Sequence, residues 1–421
     1  MAIPFGRVKK KLGIVTTWFE RGATHVSLAY IAALQEAFDI RVYARGGDAF
    51  PMHDPKWNMP WVHWGEFIPG APSTTIDRRD FMRWLKREQI DILIFNEQQS
   101  WDILLYLRNT DLNWPAGRPL MGAYIDYYTA QTVPFFALYD FVLCNTQRHL
   151  SVFTNHKQAL YIPWGVNVKA FPVAEPVQDR PVTFFHSLGY NPERKGTDLV
   201  VEAFNRMKNT EALLILHAQR PLHDFPALER LIGANPRIKW IDREVAPPGL
   251  YTLGDVYVYP SRLDGIGLSL PEALASGLPA IVTDEAPMNA FIEEDVNGWC
   301  IPVASRALRQ DGYYWPMAVV DVFALAGRMD TLAANPAVLK KYQEQARKHA
   351  EQHLNWMANS AELATALGKL THQTCPADIL EACAQHEQNV QQNVKLKHRI
   401  HRLLIALGAR KVKRLLAGRR S

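Results

Sequence analysis

The sequence predicts an α/β protein built from two Rossmann-like domains, followed by a basic helical tail. Three observations carry that expectation. Short apolar strands followed by glycine turns and amphipathic helices recur in both halves of the 421-residue chain, the order of a doubly wound parallel sheet. A Pro-rich, acid-containing stretch from Pro172 to Pro181 separates the halves. From Val394 to Ser421 there are ten Lys and Arg and no acid, so the formal net charge of +5 leaves about −5 on everything before that segment.

Bulk composition narrows the class. Hydrophobic residues make up 48% and charged residues 21%, which is ordinary for a globular protein. Cys144, Cys300, Cys375 and Cys383 are far apart and form no Cys-x-x-Cys pair. That argues against a zinc site and a disulfide framework, and for a reducing compartment. No apolar run approaches the roughly 20 residues of a spanning helix, and the basic start, Met1 to Lys11, has no signal-peptide core after it. The expectation is a cytoplasmic protein.

In chain order, Leu12–Thr17 reads as a buried strand, Gly22 as a helix-start turn, and Val26, Leu28, Ile31, Leu34 and Phe38 as the apolar side of a helix. Ile40–Ala44 is a second strand. Residues 51–75 carry Trp57, Trp61 and Trp64; such rings pack under loops or stack on sugars, and packing is the favoured reading. Phe81–Glu88 reads as a helix and Asp91–Phe95 as a strand. Glu97 then falls at a strand's C-terminal end, where open α/β sheets bind ligands. Asp126 falls at the next such end, after Met121–Tyr124. Both acids are candidates for positioning an acceptor or removing its proton, or are solvated loop acids. Thr146 is the expected N-cap of the helix after Tyr139–Cys144.

The second half opens on Val182–Phe185, followed by a Gly-containing loop, Arg194, Lys195 and a helix over Leu199–Met207. An Arg fork and a Lys point charge on such a loop make a diphosphate clamp. Leu213–Leu216 and Ile238–Ile241 are further strands. The most informative block runs from Asp255 to Asp284: a strand over Val256–Tyr259, the loop Asp264, Gly265, Ile266, Gly267, Leu268, a helix holding Pro271 and Glu272, and a strand over Pro279–Val282. The loop amides face phosphate or sugar oxygens at a helix start. Asp264 and Glu272 would repel a phosphate, so they suit the hydroxyls of a sugar ring and a ribose on either side of a diphosphate. A plain strand-to-helix turn with a dipole-matched Glu remains the alternative. Val319–Ala333 and Ala337–His353 read as helices.

Asp264, seven residues, then Glu272 resembles the Glu-x7-Glu signature of glycosyltransferase family 4, and the surrounding Pro-Ser…Asp-Gly-Ile-Gly-Leu…Pro-Glu-Ala-Leu-Ala-Ser-Gly-Leu-Pro-Ala block is similar too. The resemblance implies a GT-B fold, with two Rossmann-like domains facing across a cleft. It also implies retention at the anomeric carbon, a nucleoside-diphosphate sugar as donor and no metal or other cofactor; no Asp-x-Asp motif occurs. By the family pattern Asp264 meets hydroxyls of the donor sugar, Glu272 the ribose, Gly22 the region of the donor diphosphate, and Arg194 with Lys195 the diphosphate itself. Loops at His217–Arg220 and Arg243–Ala246 correspond to base-holding loops, and Pro163–Asn167 to the family's hinge. Asn289–Glu294 and Asn297–Trp299 resemble its closing helix and turn.

The chain departs in five places: Asp264 replaces Glu, Gly22-Ala23 keeps one glycine of a pair, Trp164 and Asn167 alter the hinge, Tyr190 stands where an Arg is common, and the histidines usual near Glu97 and Asp126 are missing. The resulting domain plan is a first, acceptor-side domain over 1–171, a linker over 172–181, a nucleotide-sugar domain over 182–353, a helix over 354–371 returning to the first domain, and a basic tail over 372–421.

In the tail, Leu396, Ile400, Leu403, Leu404 and Leu407 share one helical face among cations. An anionic membrane surface suits such a helix; docking on its own protein, a coiled coil or nucleic acid are the alternatives, nucleic acid the least favoured. The expected activity is a hexosyltransferase-like enzyme moving a sugar to a saccharide or lipid-linked acceptor of the cell envelope, cytoplasmic or peripheral on the inner face of the membrane. The rival is a GT-B scaffold that binds a sugar nucleotide or a protein without turnover.

Overall fold

A computed structural model of the chain describes residues 9–45, 51–68, 74–110, 117–175, 180–245 and 248–393. Seven parallel strands form the first sheet: β1 (Lys11–Thr16), β2 (Asp39–Ala44), β3 (Val62–Trp64), β4 (Ile92–Asn96), β5 (Leu120–Tyr124), β6 (Phe141–Cys144) and β7 (Ala159–Tyr161), in the order β3-β2-β1-β4-β5-β6-β7. Six form the second: β8 (Thr183–Gly189), β9 (Leu213–Ala218), β10 (Ile238–Asp242), β11 (Val256–Tyr259), β12 (Ala280–Thr283) and β13 (Gly298–Ile301), in the order β10-β9-β8-β11-β12-β13. Central strands such as β4, β11 and β12 are buried at every residue because helices cover both faces of a parallel sheet. That is why they read as unbroken apolar runs. The order reverses between β1 and β4 and between β8 and β11, and ligand crevices open beyond the strand ends at such reversals.

Helices pack closely onto this frame. Arg78–Glu88 is capped by Asp77, which accepts from Asp80 N at 2.9 Å. Its Trp84 lies against β1 so tightly that a β-carbon on Gly13 would sit 2.8 Å from the indole. Trp57 and Trp61 meet Trp18 edge-on at 5.8 and 5.5 Å, and Trp18 Nε1 donates to Trp57 O, so these rings pack; Trp64 is part of β3.

After the helix Pro336–His353 the chain crosses back to the first domain. Val166 N donates to Leu354 O and Trp356 N to Val166 O. Trp356 packs 5.0 Å from Trp164 with the ring planes tilted by 41°, and its Nε1 donates to Ala29 O at 2.7 Å. Residues 377–393 form a further helix on the first domain. Its Cys383 is fully buried in that domain's core, and Glu387 accepts from Trp101 N at 3.0 Å.

Four details differ from the sequence reading. A β-hairpin, β14 (Val303–Ala307) with β15 (Met317–Val320), follows the second sheet. Val319 therefore belongs to a strand, and the helix starts only at Val322, capped by Asp321. Asn297–Trp299 is not a free turn: Gly298 and Trp299 open β13, whose Cα partners on β12 leave no room for a side chain at 298. The segment after Leu354 is two short helices, Trp356–Asn359 and Leu363–Gly368. The basic amphipathic stretch 394–421 lies outside the described residues. Among those described, no helix is long and apolar enough to cross a membrane.

Candidate active site between the two domains

Between the sheets lies a cleft of about 480 Å³ that brings together Glu97 and Asp126 from the first domain with Arg194, Lys195, Asp264 and Glu272 from the second. The second domain supplies its charged floor. After β8, Asn191 Oδ1 accepts from Arg194 N at 2.9 Å and caps the single turn Pro192–Lys195. Gly196 ends the turn at φ 70°, so close to the next strand that a β-carbon would lie 2.2 Å from Pro260 O; only glycine satisfies both conditions. That close approach delivers both cations to the loop after β11.

There they meet Asp264. Arg194 Nη1 donates to Asp264 Oδ1 at 2.5 Å, and Lys195 Nζ donates to Oδ2 at 2.9 Å and Oδ1 at 3.1 Å. Ser261 Oγ donates to Oδ2 at 2.7 Å, and the Tyr259 hydroxyl donates there as well. Burial alone would raise the Asp264 pKa, but Arg194 and then Lys195 overcome it and hold the carboxyl far below the usual range. For Lys195 burial wins: despite Asp264, its pKa falls to about 8.

Beyond Asp264 the loop passes Gly265 and Ile266, turns at Gly267 with φ 84°, and enters the helix Ser269–Ala275 at Leu268. Leu268 reaches across to Gly22, where a β-carbon would be 3.5 Å from its Cδ1. Glu272 Oε2 accepts from the Tyr251 hydroxyl at 2.6 Å. Burial raises the Glu272 pKa against the opposing pull of Tyr251, His25 and Lys195. Farther out, His217 stacks on Phe185 and its Nε2 donates to Arg243 O, beside Val245 and Gly249 on the cleft wall.

The first domain supplies the facing acids. Asn96 ends β4 and its Nδ2 donates to Ala23 O at 2.6 Å and Ser27 Oγ at 2.7 Å, so it anchors the helix Gly22–Leu34. Glu97 follows in the left-handed region at φ 55°, a conformation that non-glycine residues adopt at a cost. The pKa of Glu97 is raised well above its ordinary value, by burial first and then by Asp126. Glu97 Oε1 accepts from Asp126 N at 3.1 Å. Asp126 points at the opposite domain, and a β-carbon on Gly265 would lie 1.6 Å from its Oδ2.

Two groups at this junction escaped the sequence reading. Arg148, in the helix Gln147–Val152 capped by Thr146, donates to the carbonyl oxygens of Asp264 and Ala286 and lies 5.1 Å over the Trp315 ring. Tyr313, in the turn between β14 and β15, stacks on Tyr127 at 5.4 Å and donates from its hydroxyl to Asp126 O at 2.7 Å. Both bind backbone carbonyls more than a hundred residues away, which leave no motif. Among the described residues no group of three or more His, Cys, Asp or Glu is arranged to hold a metal ion.

Comparison with known proteins agrees with this architecture. Residues 180–310 match the family model described as glycosyl transferases group 1. Alpha-monoglucosyldiacylglycerol synthase of Acholeplasma laidlawii is 28% identical over 208 residues, 44% of this chain and 49% of the relative; the alignment thus spans about half of that protein. Sucrose-phosphate synthase of Thermosynechococcus elongatus superposes with a TM-score of 0.65 at 17% identity, over 86% of this chain and 99% of the other. Anabaena HepE, solved in complex with UDP, gives 0.65 at 15% identity, over 86% and 100%. Residues 180–310 are therefore similar to a glycosyl transferases group 1 domain, within a chain of GT-B fold; that stretch holds Asp264, Glu272 and the loop between them, the residues that resemble glycosyltransferase family 4.

Proposed function

We propose that the protein is a retaining glycosyltransferase that moves a sugar, hexose-like in size, from a nucleoside-diphosphate sugar to a saccharide or lipid-linked acceptor. The observation that carries this is the arrangement of Arg194 and Lys195 at the centre of an interdomain cleft, with Glu272 on the same floor. Two cations held there offset the charge that builds on a departing diphosphate, and a buried setting makes that offset larger than it would be in water. Glu272 leaves Oε1 without a donor among the described residues and offers it to a ribose hydroxyl. The amides of Gly265, Ile266, Gly267 and Leu268 line the sugar-phosphate, with Gly22 on the opposite wall. The base lies toward His217 and Gly249. Glu97, in the first domain beside Asp126, would hold the acceptor hydroxyl by hydrogen bonding. The cations alone supply the stabilising charge in this account, with no resident cofactor.

Two further supports concern the substrates. HepE is a structural neighbour solved with UDP, and a curated relative is named as a synthase of a glucosylated diacylglycerol, which favours a lipid-linked acceptor. Residues 394–421 are proposed to meet an anionic membrane surface on the cytoplasmic side, where such an acceptor is presented.

The test is proton nuclear magnetic resonance of purified protein with UDP-, GDP- and ADP-sugars and a glycolipid acceptor mixture. A new glycoside whose anomeric configuration equals that of its donor is the expected result. Inversion, or no consumption of any donor, would overturn the reading.

A further inference from the structure

Among the acids of the cleft, Asp264 has the least left to offer a ligand. It is 6% exposed, and its carboxylate already accepts from Arg194, twice from Lys195, from Tyr259 and from Ser261. Two carboxylate oxygens present about four lone-pair positions. A sugar hydroxyl arriving there would have to displace one of these donors, leaving a buried hydroxyl or a cation unpaired. The short Asp stem keeps the carboxylate below the loop, between the cations and the end of β11.

Asp126 is in the opposite situation. Its carboxylate lies over Gly265, the residue after Asp264, so close that Gly265 has no space for a β-carbon. Among the described residues no N–H or alcohol donates to it. Beside it, Glu97 accepts from the Asp126 backbone N–H at 3.1 Å and holds a proton to higher pH than a free carboxyl, by burial first and then by the neighbouring Asp126. The backbone of Asp126 is fixed from the second domain by the Tyr313 hydroxyl. An unsaturated carboxylate thus faces the part of the loop where a sugar-phosphate would rest.

We infer that Asp126, reaching across from the first domain, is the carboxylate that takes hydroxyls of the donor sugar, and that Asp264 is a positioning residue which holds Arg194 and Lys195 for the diphosphate. The inference rests on the donor-site reading above. It divides the donor between the domains: the nucleoside diphosphate needs the second domain, whereas the sugar is gripped only when the first faces it. Sugar recognition and domain closure become one event.

Calorimetry on the full chain separates the two roles, using a nucleoside diphosphate and the corresponding nucleotide sugar on wild type, Asp126→Asn and Asp264→Asn. Asp126→Asn is expected to bind the diphosphate within about threefold of wild type and to lose most of the extra affinity contributed by the sugar, about tenfold. Asp264→Asn is expected to weaken both ligands by the same factor, about tenfold or more, with the sugar's increment kept. Loss of the sugar increment in Asp264→Asn with diphosphate binding intact would overturn the inference and leave the donor site standing. If Asp264→Asn does not fold, Asp126→Asn decides alone: an unchanged sugar increment overturns the inference. Wild type that binds no nucleoside diphosphate would overturn the inference and the donor site together.

Discussion

Asp126 Oδ2, in the first domain, lies 1.6 Å from the position a β-carbon on Gly265 in the second would occupy. Gly265 is not at a left-handed φ, so its backbone accepts alanine and the conflict is entirely across the cleft. Gly265→Ala is therefore expected to fold with a near-wild-type melting temperature and to hold the domains apart. Small-angle scattering should show a larger radius of gyration, and transfer should fall by about 100-fold, the usual scale for an ångström of misplacement. A variant with wild-type scattering and activity would remove Asp126 from the closed site.

Arg148 joins the same interface from the other side, donating to Asp264 O and Ala286 O. Arg148→Lys keeps the charge but loses the fork that spans two carbonyls. Steady-state kinetics should show kcat reduced by about tenfold or more with the affinity for nucleoside diphosphate within threefold. Equal losses in both would mean that Arg148 supports the second domain's fold instead of the junction.

Much of this site was legible before its geometry was known, and the reason is locality. Val256–Tyr259, the Gly265–Gly267 loop, Glu272 and the strand after Pro279 lie within thirty residues, so periodicity and turn chemistry expose them. The same holds for Asn191–Lys195. Arg148 meeting Asp264 is a contact of sequence separation 116, and Tyr313 meeting Asp126 one of 187; each is made to a backbone oxygen, which carries no residue identity. The hairpin was missed because β14 is half-buried or exposed throughout, so its pattern lacks the apolar alternation that marks a strand. Asp264 was readable as an acid of the site, but the number of donors crowding it was not.

Lys195 makes binding pH-dependent. Burial lowers its pKa to about 8, so the free protein loses this positive charge as pH rises through that value. Affinity for a nucleoside diphosphate should decline between pH 7 and 9.5, and Lys195→Arg, which stays charged, should flatten the decline. Calorimetry across that range checks it. An identical slope in the variant would assign the titration to another group.

His149 offers a stability test. It is buried against Tyr124 and Tyr128, neither ring nitrogen has a partner among the described residues, and burial lowers its pKa to about 4. The unfolded chain, with an ordinary histidine, binds the proton first as pH falls below about 6.5, so this group's contribution to stability is present above that value and is lost between about 6.5 and 4. The loss amounts to about 2 kcal/mol by pH 5. Denaturant melts of His149→Phe should show a correspondingly weaker decline from pH 7 to 5 than wild type. A parallel decline would contradict the assignment.

Trp356 fastens the returning chain to the first domain through Trp164, Tyr30 and Ala29 O. Trp356→Ala should destabilise the protein by about 3–5 kcal/mol, read as a lower denaturation midpoint. A change under 1 kcal/mol would mean that the return segment is held elsewhere.

The central claim is that Arg194 and Lys195 hold the diphosphate of a sugar nucleotide. Its most direct measurement is calorimetric titration of wild type and the Arg194→Ala, Lys195→Ala double variant with UDP-, GDP- and ADP-sugars. The account predicts that wild type binds at least one of them and that the double variant, still folded by circular dichroism, binds it at least 100-fold more weakly. Equal binding by the two proteins, or none of the three by wild type, would contradict it.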